Sequence, residues 1–282
     1  MKKNVFVLSI LSIGLISSCN ETPVVEDAVS ESKVKEVVEE KITDYPESYE
    51  IDGLKIYPSS PSAQFPGANL NLKSNFSEPI ESGVFNFDFA VENYELGAQT
   101  SDVETKGLAN SGKGQHIHLI VDNGPYSAHY EGGFEKNFDK GHHVAIAFLS
   151  RSYHESVKEA TAHQVFQFTS GTAEDAANID LGQEMLFYSR PKGTYTGAGA
   201  QKILLDFFLK NTEISPGSNY VQVTINDKTT ILLDNWQAYF IEGLPMGENT
   251  INLQLLNNEG ELVDSPMNNI TRTFTLAEEV VE

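Results

Sequence analysis

One block of this chain is written twice. Asp88-Phe89-Ala90-Val91-Glu92-Asn93-Tyr94-Glu95-Leu96 returns as Asp206-Phe207-Phe208-Leu209-Lys210-Asn211-Thr212-Glu213-Ile214, and the segments around it keep their order. Upstream, Leu54-Lys55-Ile56-Tyr57 parallels Met185-Leu186-Phe187-Tyr188, and Phe65-Pro66-Gly67-Ala68 parallels Tyr195-Thr196-Gly197-Ala198. Downstream, Ile117, Leu119 and Val121 with Asp122-Asn123 match Val221, Val223 and Ile225 with Asn226-Asp227. Gly141 matches Gly247, and each copy closes on a strand-like segment, Phe166-Gln167-Phe168 and Phe274-Thr275-Leu276. An ordered duplication of this kind limits the fold to one small module used twice.

Each copy has the period of β-structure. Phe85, Phe87, Phe89 and Val91 alternate with small or polar residues, as do Val221, Val223 and Ile225; a period of two marks a strand with one buried face. Asp122-Asn123-Gly124-Pro125, Gly132-Gly133, Ser215-Pro216-Gly217 and Asn257-Asn258-Glu259-Gly260 punctuate the runs as turns. Long helical patterns are missing. Short strands at this spacing predict an all-β chain of two consecutive immunoglobulin-like β-sandwich modules, over 51–170 and 180–277, with Thr172 to Asp180 as linker.

The residues ahead of the modules read as export and tethering. Lys2 and Lys3 precede an apolar run, Val5 to Ile16, that is shorter than the roughly 20 residues of a membrane span. It ends at Ile16-Ser17-Ser18-Cys19, which resembles a bacterial lipobox, so residues 1–19 are expected to be a lipoprotein signal and Cys19 the acylated residue. Asn20 resembles the residue that follows the Cys in outer-membrane lipoproteins. Residues 20–50 hold ten acidic residues against Lys33, Lys35 and Lys41 and are expected to form a disordered acidic tether. The expected location is the cell envelope, on the outer membrane, with the membrane reached through the lipid. Cys19 is the only cysteine, so the modules have neither a disulfide nor a thiolate metal site. A net charge of −21 disfavours nucleic acid as a partner.

All seven histidines lie between His116 and His163, in the first copy. The second copy has none, so the shared scaffold does not need them. On the strand Gln115-His116-Ile117-His118-Leu119-Ile120-Val121, alternation puts His116 and His118 on one face, about 6.6 Å apart at roughly 3.3 Å per residue. Parity with Val221, Val223 and Ile225 assigns Ile117, Leu119 and Val121 to the core. It leaves His116 and His118 on the outer, accessible face. His129, His142, His143 and His154 are the further donors, and adjacency lets at most one of His142 and His143 join the pair. A set of three would suit Zn²⁺ or Cu²⁺; the same residues also suit hydrogen-bonding scaffold roles or a non-metal ligand. Tyr126, Tyr130, Arg151 and Tyr153 are candidates for a ligand surface, and Trp236 for the core. Gly-x-Ser-x-Gly, a phosphate-cradling glycine loop and His-Glu-x-x-His are all lacking, and no catalytic residue is assigned. The chain reads as a non-enzymatic binding or interaction protein with its site in the first module. The alternatives are a Zn- or Cu-handling protein and a structural or adhesive envelope protein.

The run from His116 to Tyr126, with Gly141-His142-His143 and Ser150-Arg151-Ser152-Tyr153-His154-Glu155-Ser156, resembles a group of Bacteroidota-type lipoproteins with two such β-modules, often labelled phosphopeptide-binding. The resemblance covers most of 51–277 and implies a protein or peptide partner. Phosphate recognition favours clustered arginines that bond bidentately. Here Arg151, Arg190 and Arg272 are the only arginines and stand far apart in sequence.

Overall fold

A computed structural model describes residues 47–279. The expected signal, Cys19 and the expected tether up to residue 46 lie outside the described residues. Among the described residues no helix is long and apolar enough to cross a membrane.

The chain is all-β, and four sheets pair into two immunoglobulin-like sandwiches. In the first, a three-stranded sheet of β3 (Asn69–Leu72), β4 (Val84–Glu92) and β7 (Gly133–Asn137) faces a four-stranded one. The latter runs β6 (Ser127–His129), β5 (His116–Val121), β8 (Gly141–Ser150), β9 (His163–Ser170). Between them Phe85, Phe87 and Phe89 from β4 meet Ile117, Leu119, Ala145, Ala147, Leu149, Phe166 and Phe168. The alternation read from the sequence is the burial observed: Phe85, Phe87 and Phe89 are buried, and Asn86 and Asp88 are exposed.

The second sandwich joins two five-stranded sheets. One contains β10 (Met185–Arg190), β12 (Lys202–Lys210) and β15 (Tyr239–Glu242). The other is ordered β11 (Gly193–Thr196), β17 (Ile270–Ala277), β16 (Gly247–Leu256), β13 (Tyr220–Ile225), β14 (Thr229–Leu233). Asp122-Asn123 and Asn226-Asp227 prove to be equivalent turns. Each pair is left-handed, with φ of 50° and 53° in the first and 52° and 51° in the second. Asn and Asp accept this region better than other side chains.

Two boundaries move. β1 (Tyr49–Ile51), expected mostly in the tether from its composition, and β2 (Leu54–Pro58), expected in the first module from the repeat, belong to the second sandwich. β2 lies antiparallel to β15, with Ile56 opposite Ile241 and Pro58 opposite Tyr239. Leu54 and Ile56 enter the second core beside Leu186, Tyr188 and Ile241. A period of two says that Leu54-Lys55-Ile56-Tyr57 is a strand; it does not say which sheet edge it joins. Tyr49 is tied down as well, its hydroxyl donating to the Leu232 carbonyl.

The two sandwiches are not beads on a string. The four-stranded sheet of the first lies with its outer face on the β10–β12 sheet of the second. Between them is a third apolar layer of Ile120, Tyr126, Val144, Ile146, Phe148, Met185, Phe187 and Phe208. β5, β8, β10 and β12 are therefore buried along most of their length, as strands covered on both faces are. Polar groups close the seam. The Asn123 amide donates to the Leu186 carbonyl at 2.8 Å, and its Oδ1 accepts from the Tyr188 amide at 2.8 Å. Arg272 donates to the carbonyls of Asn123 and Gly124 on one side (2.9 Å each) and of Tyr188 on the other (3.1 Å).

Candidate metal centre

The covering of β5 corrects one expectation. His116 and His118 do lie on the face opposite Ile117 and Leu119, but both are 0% exposed. Tyr126 stacks on His118, and Arg190 and Lys192 of the second sandwich lie over Tyr126, so that face is closed.

Three histidines converge there. One ring nitrogen each from His116, His118 and His154 lies within 4.8 Å of the other two. His116 Nε2 is 2.8 Å from His118 Nε2 and 3.1 Å from His154 Nδ1. His116 Nδ1–H donates to the Gly114 carbonyl at 2.8 Å. That bond fixes the tautomer and turns the Nε2 lone pair toward the other two rings, as the second nitrogen of a metal-bound histidine usually does. A single lone pair cannot satisfy both neighbours well, whereas one cation can accept a lone pair from each ring. His118 Nδ1 is buried with no partner, which leaves His118 the least anchored of the three.

His154 is brought in by backbone geometry. It sits in the loop after β8 with φ of +70°, a conformation uncommon outside glycine and Asn-like residues. Arg151 builds that loop. Its guanidinium donates to the carbonyls of Ala63 (2.7 Å) and Ser156 (2.8 Å) and meets Glu155 at 3.3 Å. Tyr153 is buried beside it, its hydroxyl donating to Asp102 at 3.2 Å. Arg151 and Tyr153 are thus buried parts of the loop that carries His154.

Two tyrosines flank the cluster. Tyr126 stacks on His118 with centroids 3.5 Å apart and planes 15° apart, and its hydroxyl lies 3.2 Å from His154 Nδ1. Tyr130 lies 5.0 Å from the His116 ring, and its hydroxyl is held 2.7 Å from Ser111 Oγ. From the second sandwich come Arg190 and Lys192, which the sequence reading does not single out. Lys192 Nζ lies 3.9 Å from the Tyr126 ring centroid and donates to the Tyr126 carbonyl at 2.8 Å. The Arg190 guanidinium lies 5.3 Å from the same ring and donates to Tyr195 Oη at 2.7 Å.

All three rings are held neutral. Burial pushes His116 down to about 4, and Arg190 and Lys192 add to the shift against the Gly114 bond, which opposes it. Burial takes His118 well below the ordinary value, with His116, His154, Arg190 and Lys192 adding to it. Burial and then Arg190 take His154 far down. Neutral imidazole is the ligating form. Lys192 is itself lowered to about 8, first by burial and then by Arg190.

The other histidines are elsewhere. His129 stacks on Phe134 at 3.4 Å, on the opposite face of the sheet, and meets Ser127 Oγ at 2.8 Å. His142 bonds Thr169 and Gln167 on β9, at 3.0 and 2.8 Å. His143 bonds Asp122 Oδ2 at 2.6 Å and the Asp139 carbonyl at 3.0 Å. Neither of this adjacent pair joins the cluster. Trp236 is half-buried, packed edge-on against Phe208 at 5.0 Å. Of the arginines, Arg151 and Arg272 bond chiefly backbone carbonyls and Arg190 is 7% exposed, so they form no open phosphate-gripping cluster.

No protein family and no curated protein matches the sequence. Among solved structures, the chain is similar to fibronectin(III)-like modules of Clostridium thermocellum CbhA, at 9% identity over 76% of this chain and 96% of that one, with a TM-score of 0.26. It is similar to a segment of two fibronectin type-III domains from chicken tenascin, at 7% identity over 74% and 98%, with a TM-score of 0.20. A third is the Bacteroides ovatus mixed-linkage glucan locus protein SGBP-B in complex with a heptasaccharide, at 9% identity over 82% and 72%, with a TM-score of 0.22. At such scores the likenesses carry nothing about the site.

Proposed function

We propose that this chain is a non-enzymatic, lipid-anchored envelope protein that binds one transition-metal ion, Zn²⁺ or Cu²⁺, on His116, His118 and His154. The observation behind the reading is the convergence of three neutral imidazole nitrogens from two separate segments, with the His116 tautomer fixed by Gly114. Three histidines with a fourth position are a common donor set for either ion. The lipid on Cys19 and the outer-membrane location belong to the same proposal and rest on the lipobox resemblance. Burial of the centre suits tight retention of an ion better than turnover of a substrate, because a 0% exposed ligand pair offers no open coordination face.

Metal analysis and equilibrium dialysis of the full chain, without a histidine tag, test this. We expect about one equivalent of Zn²⁺ or Cu²⁺ held at micromolar free metal or below. The double variant His116→Ala/His118→Ala should lose it, and His142→Ala/His143→Ala, a pair outside the cluster, should keep it. Failure of the full chain to bind either ion at micromolar levels, or unchanged binding by the first double variant, would refute the assignment. A thermal melt of each variant shows that it is folded.

A further inference from the structure

Away from the histidine centre, the seam between the sandwiches opens into two adjoining hollows. One, of about 360 Å³, is lined by Ser60, Ser62, Gln64, Glu155 and Gln237. The other, of about 650 Å³, is lined by Ala160, Asn211, Thr212 and Asn235. Trp236 and Lys158 line both, and both volumes fall in the range of small-molecule sites. We propose that the two hollows form one groove that binds a neutral oligosaccharide.

Charge selects the class of ligand. The chain carries 40 acidic residues against 19 basic ones, yet the charges lining the groove cancel, Arg151, Lys158 and Lys210 against Glu155, Glu159 and Glu213. Its inner cations are already committed. Lys158 Nζ donates to Ser156 Oγ at 2.8 Å, Asp206 Oδ1 at 2.9 Å and the Phe207 carbonyl at 3.0 Å, which uses all three protons. Arg151 is spent on Ala63, Ser156 and Glu155. An anionic ligand would lose its hydration here and gain no counter-charge. The hydroxyls and amides along the groove, those of Ser60, Ser62, Gln64 and Asn235, both donate and accept, as sugar hydroxyls do.

The walls are ordered before any ligand arrives. Lys106, 1% exposed, donates to the Ser60 and Pro61 carbonyls at 2.8 and 2.9 Å and to Ser62 Oγ at 2.7 Å, and so clamps the serine loop. Trp236 Nε1 donates to the Phe207 carbonyl at 3.1 Å, and its ring meets Phe208 edge-on at 5.0 Å. A half-buried indole held in this way gives sugar C–H groups an electron-rich surface to lie on. Walls fixed in advance lower the ordering cost of binding. A peptide is the weaker match. β2 and β15, the strands beside the groove, are each paired on both sides, so they offer no open edge for an extended backbone to join.

Trp236 is the only tryptophan in the chain, so tryptophan fluorescence reports on this groove. The test is titration of the full chain with cellohexaose, maltohexaose, mannohexaose and chitohexaose. Hexagalacturonate serves as the acidic counterpart and an uncharged Gly-Ser hexapeptide as the peptide control. We expect a saturable change in emission with at least one neutral sugar, and binding of hexagalacturonate at least about tenfold weaker. Gln64→Ala/Asn235→Ala removes one exposed amide from each hollow. It should weaken that sugar about tenfold, the loss of one or two net hydrogen bonds, and leave the melting temperature unchanged. No response to any of the neutral sugars, tighter binding of hexagalacturonate or of the peptide, or equal sugar affinity in the double variant overturns the proposal.

Discussion

β5 and β13 hold the same place in the two copies of the module, yet only one has an outer face open to polar groups. In β13, Val221, Val223 and Ile225 point into the core, while Gln222 and Thr224 are half-buried. Their side chains pair across the sheet with Gln254 at 3.1 Å and Thr230 at 3.2 Å. In β5 the inward residues match, but the outward His116, His118 and Ile120 are as buried as the inward ones. Duplicated strands share their parity, because parity is local. What covers the second face is set by sandwich-to-sandwich packing, and there the copies differ. The histidines mark the copy in which this strand, and not its counterpart, is roofed.

The comparison can be broken at the roof. Phe208 stacks on Phe148 at 5.2 Å and packs edge-on to Trp236 at 5.0 Å. Phe208→Ala should cost about 3–5 kcal/mol, the usual range for a buried phenylalanine, read as a shift of the urea midpoint. A cost under about 1 kcal/mol would mean that this layer does not bind the sandwiches together. Arg272→Lys should cost about 2 kcal/mol, since a lysine cannot reproduce the fork that reaches carbonyls on both sides of the seam.

Acid should probe the first copy selectively. Burial, and then Lys136, pushes His129 down to about 4; burial, and then Lys210, does the same for His163. Against an unfolded value of about 6.5, the unfolded chain takes up these protons first as pH falls. Their contribution is therefore whole above about pH 6.5 and is lost progressively from there to about pH 4. His129→Gln/His163→Gln should flatten the fall in melting temperature between pH 7 and pH 4.5 by at least a few degrees, equivalent to about 1 kcal/mol. Parallel curves for the variant and the unaltered chain would show that the two rings do not couple to folding. The smallest effect is the matched control. Thr224→Ala, on the open face, should change stability by no more than about 0.5 kcal/mol. Ile120→Ala, at the equivalent position, should cost about 2–5 kcal/mol.

Much of the fold was legible in the order of residues. Phe85, Phe87 and Phe89, and Val221, Val223 and Ile225, announce strands and their buried faces through period alone, and Asp122-Asn123 and Asn226-Asp227 announce matching turns. The site was legible in part. Parity puts His116 and His118 on one face, but that face is closed by Tyr126 and His154, which lie outside the regular strands, and by Arg190 and Lys192, far along the chain. His154 lies in a loop, where no period applies, and it is aimed by a left-handed backbone and by the Arg151 clamp. Arg190 and Lys192 could be suspected only once β10 was known to face β5. The place of β2 was hidden for a related reason, because a short strand carries no record of its distant partner.

That strand has a consequence for the order in which the molecule can be completed. β2 is among the first parts of the body to leave a ribosome or a translocation pore, and its partner β15 follows more than a hundred and fifty residues later. The first sandwich can close on its own strands while β2, paired only with β1, waits for β15. The second sheet is finished only when both ends of the body meet. A fragment cut at the linker and starting at residue 180 would present the edge of β15 bare, an open invitation to pair with another chain. The lasting unit of this protein is therefore the whole loop of chain from β1 to β17, drawn shut by its first hairpin.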